Sequence, residues 1–243
     1  MKNIIYQILV VFAIAGCSTK FYPSFKSNKL NAVSADMAAD TAIEHFIIPY
    51  KMQLDAKMNR VIGFSKVEIN KTDGESALGN FVSDAILRKS NEVYGQKVDM
   101  ATVNNGGLRT ALPKGAITVG NVFELMPFEN ELVVMTLTGS QTKKYFEFQA
   151  VKKTHISNTK VKIAKATNRP VEVFIGGVLL DTTKNYTISM SDYMASNEPI
   201  WLKDLPRTST NVLLRDLLIE NIEKSGLKKD SLNPKIEGRL VFE

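Results

Sequence analysis

The chain's single cysteine is Cys17, so residues 18–243 contain no thiol. That removes a disulfide framework, a cysteine nucleophile and a thiolate metal site from anything this stretch can fold into. Such a chain is held together by buried apolar surface alone, and 243 residues, 44% of them hydrophobic, suffice for a packed core. The two histidines, His45 and His155, have no neighbour at metal-ligand spacing, and each is expected as a surface or half-buried imidazole. A dinuclear hydrolytic centre needs several His and Asp ligands around two ions, more than two histidines can supply. Neither a G-x-S-x-G elbow nor a P-loop is present. The residues therefore assign no catalytic group, no metal ligand and no cofactor to this chain.

The formal charge is +6, but four of the cations, Lys2, Lys20, Lys26 and Lys29, precede residue 32 and leave +2 for residues 32–243. A face that neutralises many phosphates needs a concentrated patch of cations, so no nucleic-acid partner is expected. The four lysines flank a leader. Lys2 is its positive region and residues 4–14 are an apolar run too short for an ordinary membrane-spanning helix. The run ends in Ile14-Ala15-Gly16-Cys17, which looks like the lipobox of a bacterial lipoprotein. The expectation is a signal peptide over residues 1–16 and lipidation of Cys17, which anchors the chain in the bacterial envelope, periplasmic or at the outer membrane. Residues 17–39 are then the lipidated N-terminus and tether, polar and without apolar period, either a solvated spacer or a segment touching anionic headgroups.

A folded domain is expected over residues 40–243, after helical propensity at 36–59 that Pro49 should bend or break. Thr72 and Glu75 have capping-box spacing, and Leu78, Phe81, Val82, Ala85 and Ile86 behind them form one helical stripe. Residues 98–103 read as a strand running into the loop Asn104-Asn105-Gly106-Gly107. Helices are predicted at 118–125, 140–151 and 210–224, the last ended by Gly226 in a left-handed conformation. Strands are predicted at 131–138, 171–175, 178–180, 186–190 and 236–242, with Gly176-Gly177 as a hairpin turn. Helices and strands mix without strict βαβ alternation, which favours α+β.

Two segments are more specific than secondary structure. One is Glu75-Ser-Ala-Leu-Gly-Asn-Phe-Val-Ser-Asp84-Ala; the other is Val103-Asn-Asn-Gly-Gly-Leu-Arg109, followed by residues 115–130, with the turn Pro127-Phe-Glu-Asn130, and residues 132–139. Physically, Gly106 and Gly107 permit positive φ and close approach of backbone N–H groups to a ligand. Arg109 offers a planar fork for phosphate or paired hydroxyl oxygens. In order and spacing the set resembles the C-terminal, substrate-recognition domain of the 5′-nucleotidase family, which includes UDP-sugar hydrolases and 2′,3′-cyclic phosphodiesterases. The resemblance runs from about residue 40 to the end.

The resemblance implies an α+β, four-layer α/β/β/α fold and a nucleotide or nucleoside ligand. It implies that Asn104 contacts the base, that Arg109 faces the ribose-phosphate side, and that Phe128 and Tyr193 stack on the base, with Trp201 as a closing aromatic. Between Tyr193 and Trp201 the family's Asn-Gly-Gly-Asp-Gly core is replaced by Ser196-Asn197-Glu198-Pro199-Ile200, and the ribose-holding acid falls on Pro199, with Glu198 able to substitute only if the loop shifts by one place. Lys71 and Thr72 stand where the family carries an arginine. In the family a metallophosphatase domain precedes this one. The reading is thus a recognition half working in nucleotide catabolism with a separately encoded metallophosphatase, which alone carries divalent metals. The alternatives are a non-catalytic nucleotide- or nucleoside-binding lipoprotein, and a structural lipoprotein that has lost its ligand.

Overall fold

The structure, a computed structural model, describes residues 40–243 together with Ser34, Met37 and Ala38. The leader, Cys17 and most of the tether lie outside the described residues. The chain divides into two compact units, residues 1–46 and 47–243. Helix α1 (Thr41–Met58) passes from one into the other, buries none of its residues and contains Pro49 without interruption. Asp40 starts it, its Oδ1 accepting the Ala42 and Ile43 N–H at 2.9 and 3.3 Å. No helix among the described residues is long and apolar enough to cross a membrane.

After α1 the described elements follow in the order β1 (Val61–Ser65), α2 (Ala77–Val93), β2 (Met100–Val103), β3 (Gly115–Thr118), α3 (Val119–Leu125), β4 (Glu131–Thr138), α4 (Gly139–Lys152) and β5 (His155–Ser157). Then come β6 (Thr159–Ala164), β7 (Arg169–Ile175), β8 (Val178–Leu179), β9 (Asn185–Ser191), α5 (Asp192–Asn197), β10 (Arg207–Leu213), α6 (Leu214–Leu227) and β11 (Leu240–Phe242). They form a five-stranded sheet in the order β10-β4-β9-β2-β5, a four-stranded sheet β11-β6-β7-β8, and a β1-β3 ribbon. The class is α+β, with β2–β9 and β11–β6 parallel and the other pairs antiparallel.

The five-stranded sheet has an apolar core on each face, because successive strand residues point to opposite sides. Ala101, Val103 and Leu132 join one core with α2, α3, α6 and the ribbon. Met100, Val133 and Met135 join the other with α4 and the four-stranded sheet. Of the stripe on α2, Leu78, Val82, Ala85 and Ile86 are buried and Phe81 packs against them. Each fully buried Leu or Ile contributes about 1.5–3 kcal/mol.

Local signals placed several elements well. Thr118 and Thr138 cap α3 and α4 with reciprocal capping boxes, and Gly176 and Gly177 turn the β7–β8 hairpin at φ +59° and +80°. Several expectations need correction. Pro49 does not break the first helix, and the last strand is only Leu240–Phe242, shorter than the predicted 236–242. The cap of α2 is Ser76, whose Oγ accepts the Gly79 N–H at 3.0 Å, rather than Thr72. Glu75 is engaged elsewhere, accepting from the backbone N–H of Glu237 and Arg239 and from Asn80 Nδ2. Residues 207–213, partly predicted as helix, are strand β10, because pairing with β4 overrides helical propensity. Gly226 lies inside α6, where a Cβ would sit 2.8 Å from the Ile62 carbonyl oxygen, so it serves the close approach of α6 to β1 rather than a left-handed stop.

Candidate functional site

The pairing of β4 with β9 sets Leu132 opposite Ser191, which brings the residues before β4 beside those after β9. Asp192 Oδ1 completes the junction by accepting the Glu131 N–H at 3.1 Å. Phe128, on the turn before β4, and Tyr193, in α5, thereby reach one cavity. β2 delivers the glycine loop to the same place. The cavity encloses about 370 Å³ and is lined by Asn104, Gly106, Gly107, Arg109, Phe128, Asn130, Tyr193 and Glu198. All six residues singled out from the sequence converge there. Phe128 and Tyr193 are 42% and 48% exposed, large apolar surfaces that no neighbouring side chain covers completely.

The loop is a short 3-10 turn over Asn105–Gly107, capped by Asn104, whose Oδ1 accepts the Gly107 N–H at 3.2 Å. Neither Gly106 nor Gly107 adopts positive φ, which corrects the reason given for them. Gly107 is required because a Cβ would lie 2.7 Å from Asn104 Oδ1. Arg109 anchors by its backbone N–H to the Leu125 carbonyl at 2.8 Å, and its exposed guanidinium reaches the Gly106 carbonyl at 3.4 Å. Asn104 Nδ2 donates to Glu198 Oε2 at 3.1 Å.

The loop is braced from behind. Lys71 Nζ donates to the carbonyls of Asn105, at 3.1 Å, and Leu108. Lys71 does not line the cavity. Asn105 Nδ2 donates to Asp73 Oδ1 at 3.1 Å, and Asn105 Oδ1 lies 3.4 Å from His155 Nε2. His155 is 2% exposed, against the expectation of a surface or half-buried ring. Its imidazole packs on Gly79, where a Cβ would come within 2.1 Å of the ring, and Nδ1 lies 3.5 Å from Ser76 Oγ. Burial, aided by the nearby Lys71 charge, pushes its pKa down to about 4. His45 is exposed on α1.

Two residues lining the cavity were not selected from the sequence. Asn130 was within reach, since it closes the Pro127-Phe-Glu-Asn130 turn. Glu198 was open from the sequence only as a substitute for the acid position that falls on Pro199, should the loop shift by one place, and the loop's path carries its carboxylate to the cavity. Trp201 stands outside the cavity, half-buried against the second core, with Lys144 Nζ 4.8 Å from its ring centroid. No cluster of three or more His, Cys, Asp or Glu among the described residues is placed to hold a metal ion. With one carboxylate and no imidazole, the cavity's donor set does not suit a catalytic metal.

Residues 61–201 match the family profile described as 5′-nucleotidase, C-terminal domain. The chain belongs to that family. It is 28% identical over 218 residues to the trifunctional nucleotide phosphoesterase protein YfkN of Bacillus subtilis, covering 79% of this chain and 14% of the relative. It is 26% identical over 221 residues to protein UshA of Yersinia enterocolitica, covering 85% of this chain and 38% of that one. In structure it is similar to a 5′-nucleotidase precursor from Thermus thermophilus, with a TM-score of 0.72 and 25% identity over 84% of this chain and 43% of the other. The chain thus spans less than half of each of these proteins.

Within this 5′-nucleotidase C-terminal domain the two specific segments have different duties. The loop segment builds the cavity; the Glu75–Asp84 segment clasps the end of the chain. Asp84 accepts from Arg239 Nη1 and Nη2 at 2.7 and 2.8 Å, while Glu75 holds the backbone of Glu237 and Arg239. Glu75 is held below its ordinary pKa by the hydrogen bonds from Asn80, Glu237 and Arg239, which outweigh the opposing effect of its burial, the largest single influence on it.

Proposed function

We propose that this domain is the nucleotide-recognition half of a 5′-nucleotidase-type hydrolase system and acts with a separately encoded metallophosphatase. The observation that carries the proposal is one cavity joining two exposed aromatic faces to a small set of polar groups. A base stacks between Phe128 and Tyr193, and the amides of Asn104 and Asn130 read its polar edge. Arg109 orients the ribose-phosphate side. The metals that activate water and polarise phosphate belong to the partner. This domain contributes positioning, which in favourable cases lowers a barrier by several kcal/mol. The relatives' names, a nucleotide phosphoesterase and 5′-nucleotidases, support the ligand class.

The lipobox-like sequence supports a placement at the envelope membrane through Cys17, checked by mass spectrometry of the processed N-terminus and its loss in Cys17→Ser. The functional test is reconstitution. The purified chain with nucleotides and divalent metal should release no phosphate, and a metallophosphatase co-purified from native membranes should hydrolyse nucleotides faster when the chain is added. Metal-dependent release by the chain alone, with contaminants excluded, refutes the division of labour.

A further inference from the structure

Asn104, Gly106, Gly107 and Arg109 line the cavity, whereas Asn105, in the midst of them, does not. Asn105 gives its polar groups to the chain instead. Its carbonyl oxygen accepts from Lys71 Nζ at 3.1 Å and from the Leu108 N–H at 3.3 Å. Its Nδ2 donates to Asp73 Oδ1 at 3.1 Å, and its Oδ1 lies 3.4 Å from His155 Nε2. An ionised carboxylate only accepts, so the Asp73 contact is made by Nδ2 and leaves Oδ1 to the ring.

Two backbone pairings put these partners in place. Val103, the last residue of β2, pairs with His155 on β5, which sets the ring beside the residues that follow β2. Ile69 pairs with Leu112, each N–H bonded to the other's carbonyl at 2.9 and 3.1 Å, which brings the stretch containing Lys71 and Asp73 alongside the loop's exit. The loop needs such anchors. Gly106 and Gly107 have no side chain to pack, and glycine has the most conformational freedom to lose. Ordering one freed residue only when a ligand arrives weakens affinity about 5- to 30-fold. A loop already fixed on folding avoids that loss.

We infer that Asn105 is the positioning residue of this site. Through Lys71, Asp73 and His155 it holds the loop in its binding form before any ligand arrives, and it touches no ligand itself. This rests on the reading that the cavity holds a base. The groups that meet the ligand, on either side of Asn105 in the chain, owe their placement to contacts made outside the cavity.

Calorimetry on the full chain tests this with the four common ribonucleosides, which are neutral, so that a charge placed at residue 105 does not act on the ligand directly. Asn105→Asp sets two carboxylates against each other where an amide now donates to Asp73. Adding Asp73→Asn exchanges donor and acceptor, restores the pair and leaves the net charge of the chain as it was. Asn105→Asp should weaken the preferred ribonucleoside about 5- to 30-fold, and the double substitution should return it to within about threefold of the natural sequence. Lys71→Met, which removes the donor behind the loop, should weaken binding by a similar factor. In the ligand-free chain the Gly107 and Leu108 amides should exchange faster in Asn105→Asp and slow again in the double, with core amides unchanged in all three. Nucleoside binding that Phe128→Ala abolishes but Asn105→Asp and Lys71→Met leave unchanged overturns the inference, and the base-binding reading then stands. A loss that the double substitution does not recover overturns it too, as does one that tracks a fall in the urea midpoint. No binding of any ribonucleoside by the natural sequence overturns both.

Discussion

Replacing His155 by glutamine removes a titrating group that the fold buries without its proton. In the folded chain the imidazole takes up a proton only at about 4, against its ordinary 6.5, owing first to burial and then to Lys71, with the Gly74 carbonyl, Asp73 and Glu75 pulling the other way. Above pH 6.5 neither the folded nor the unfolded chain holds this proton, and the contribution to stability is complete. Between pH 6.5 and 4 the unfolded chain binds it and the folded chain does not, so stability falls with pH. The loss over that window is on the order of 3 kcal/mol, and it levels off below pH 4, where both states are protonated. Glutamine has no such term. Urea unfolding of both proteins from pH 4.5 to 7.5 should therefore show a stability difference that favours the natural chain most near neutrality and shrinks steadily toward acid. Carboxylate titrations are shared by both proteins and cancel in the difference. Parallel stability curves would refute the reasoning, as would a His155 ring resonance titrating near 6.5. With His45 the only other histidine, that resonance is readily assigned.

Phe128→Ala and Tyr193→Ala should each weaken ligand binding by about 1–3 kcal/mol in calorimetry, with non-additive losses because both rings share one ligand, and should leave unfolding transitions in place. Strong binding that ignores both substitutions would put the site elsewhere. Arg239→Ala removes the guanidinium shared by Asp84 and Glu237 and should cost about 2 kcal/mol in urea unfolding, less than a fully buried pair because Asp84 keeps its bond from Ser157 and the two carboxylate side chains are 36% and 54% exposed. A loss under about 1 kcal/mol would show that the clasp is dispensable.

How much of this molecule could be read from its residues depends on how far apart the interacting groups stand in the chain. The helices near residues 118–125 and 140–151 were legible because their signals are local, and the caps the structure shows there, Thr118 and Thr138, accept N–H groups only three residues away. The strand at Glu131–Thr138 and the hairpin at Gly176-Gly177 are equally local, set by β propensity and turn geometry. The loop from Asn104 to Arg109 and the Phe128 turn were legible for another reason: their order and spacing resemble those of the family to which the chain belongs.

Tertiary structure decided what depends on distant partners. Residues 207–213 are strand because β4 offers them a ladder, and Glu75 leaves the capping-box role because it meets backbone N–H groups more than 160 positions along the chain. His155 carries no local mark of burial; it is dry because α2 presents Gly79 to its ring. Lys71 turns to the loop carbonyls, and Glu198 enters the cavity, through contacts 34 and 94 residues apart in sequence. Periodicity and propensity act over a few residues and so determine elements, whereas the charge a cavity presents is a sum over side chains that only the folded chain brings together.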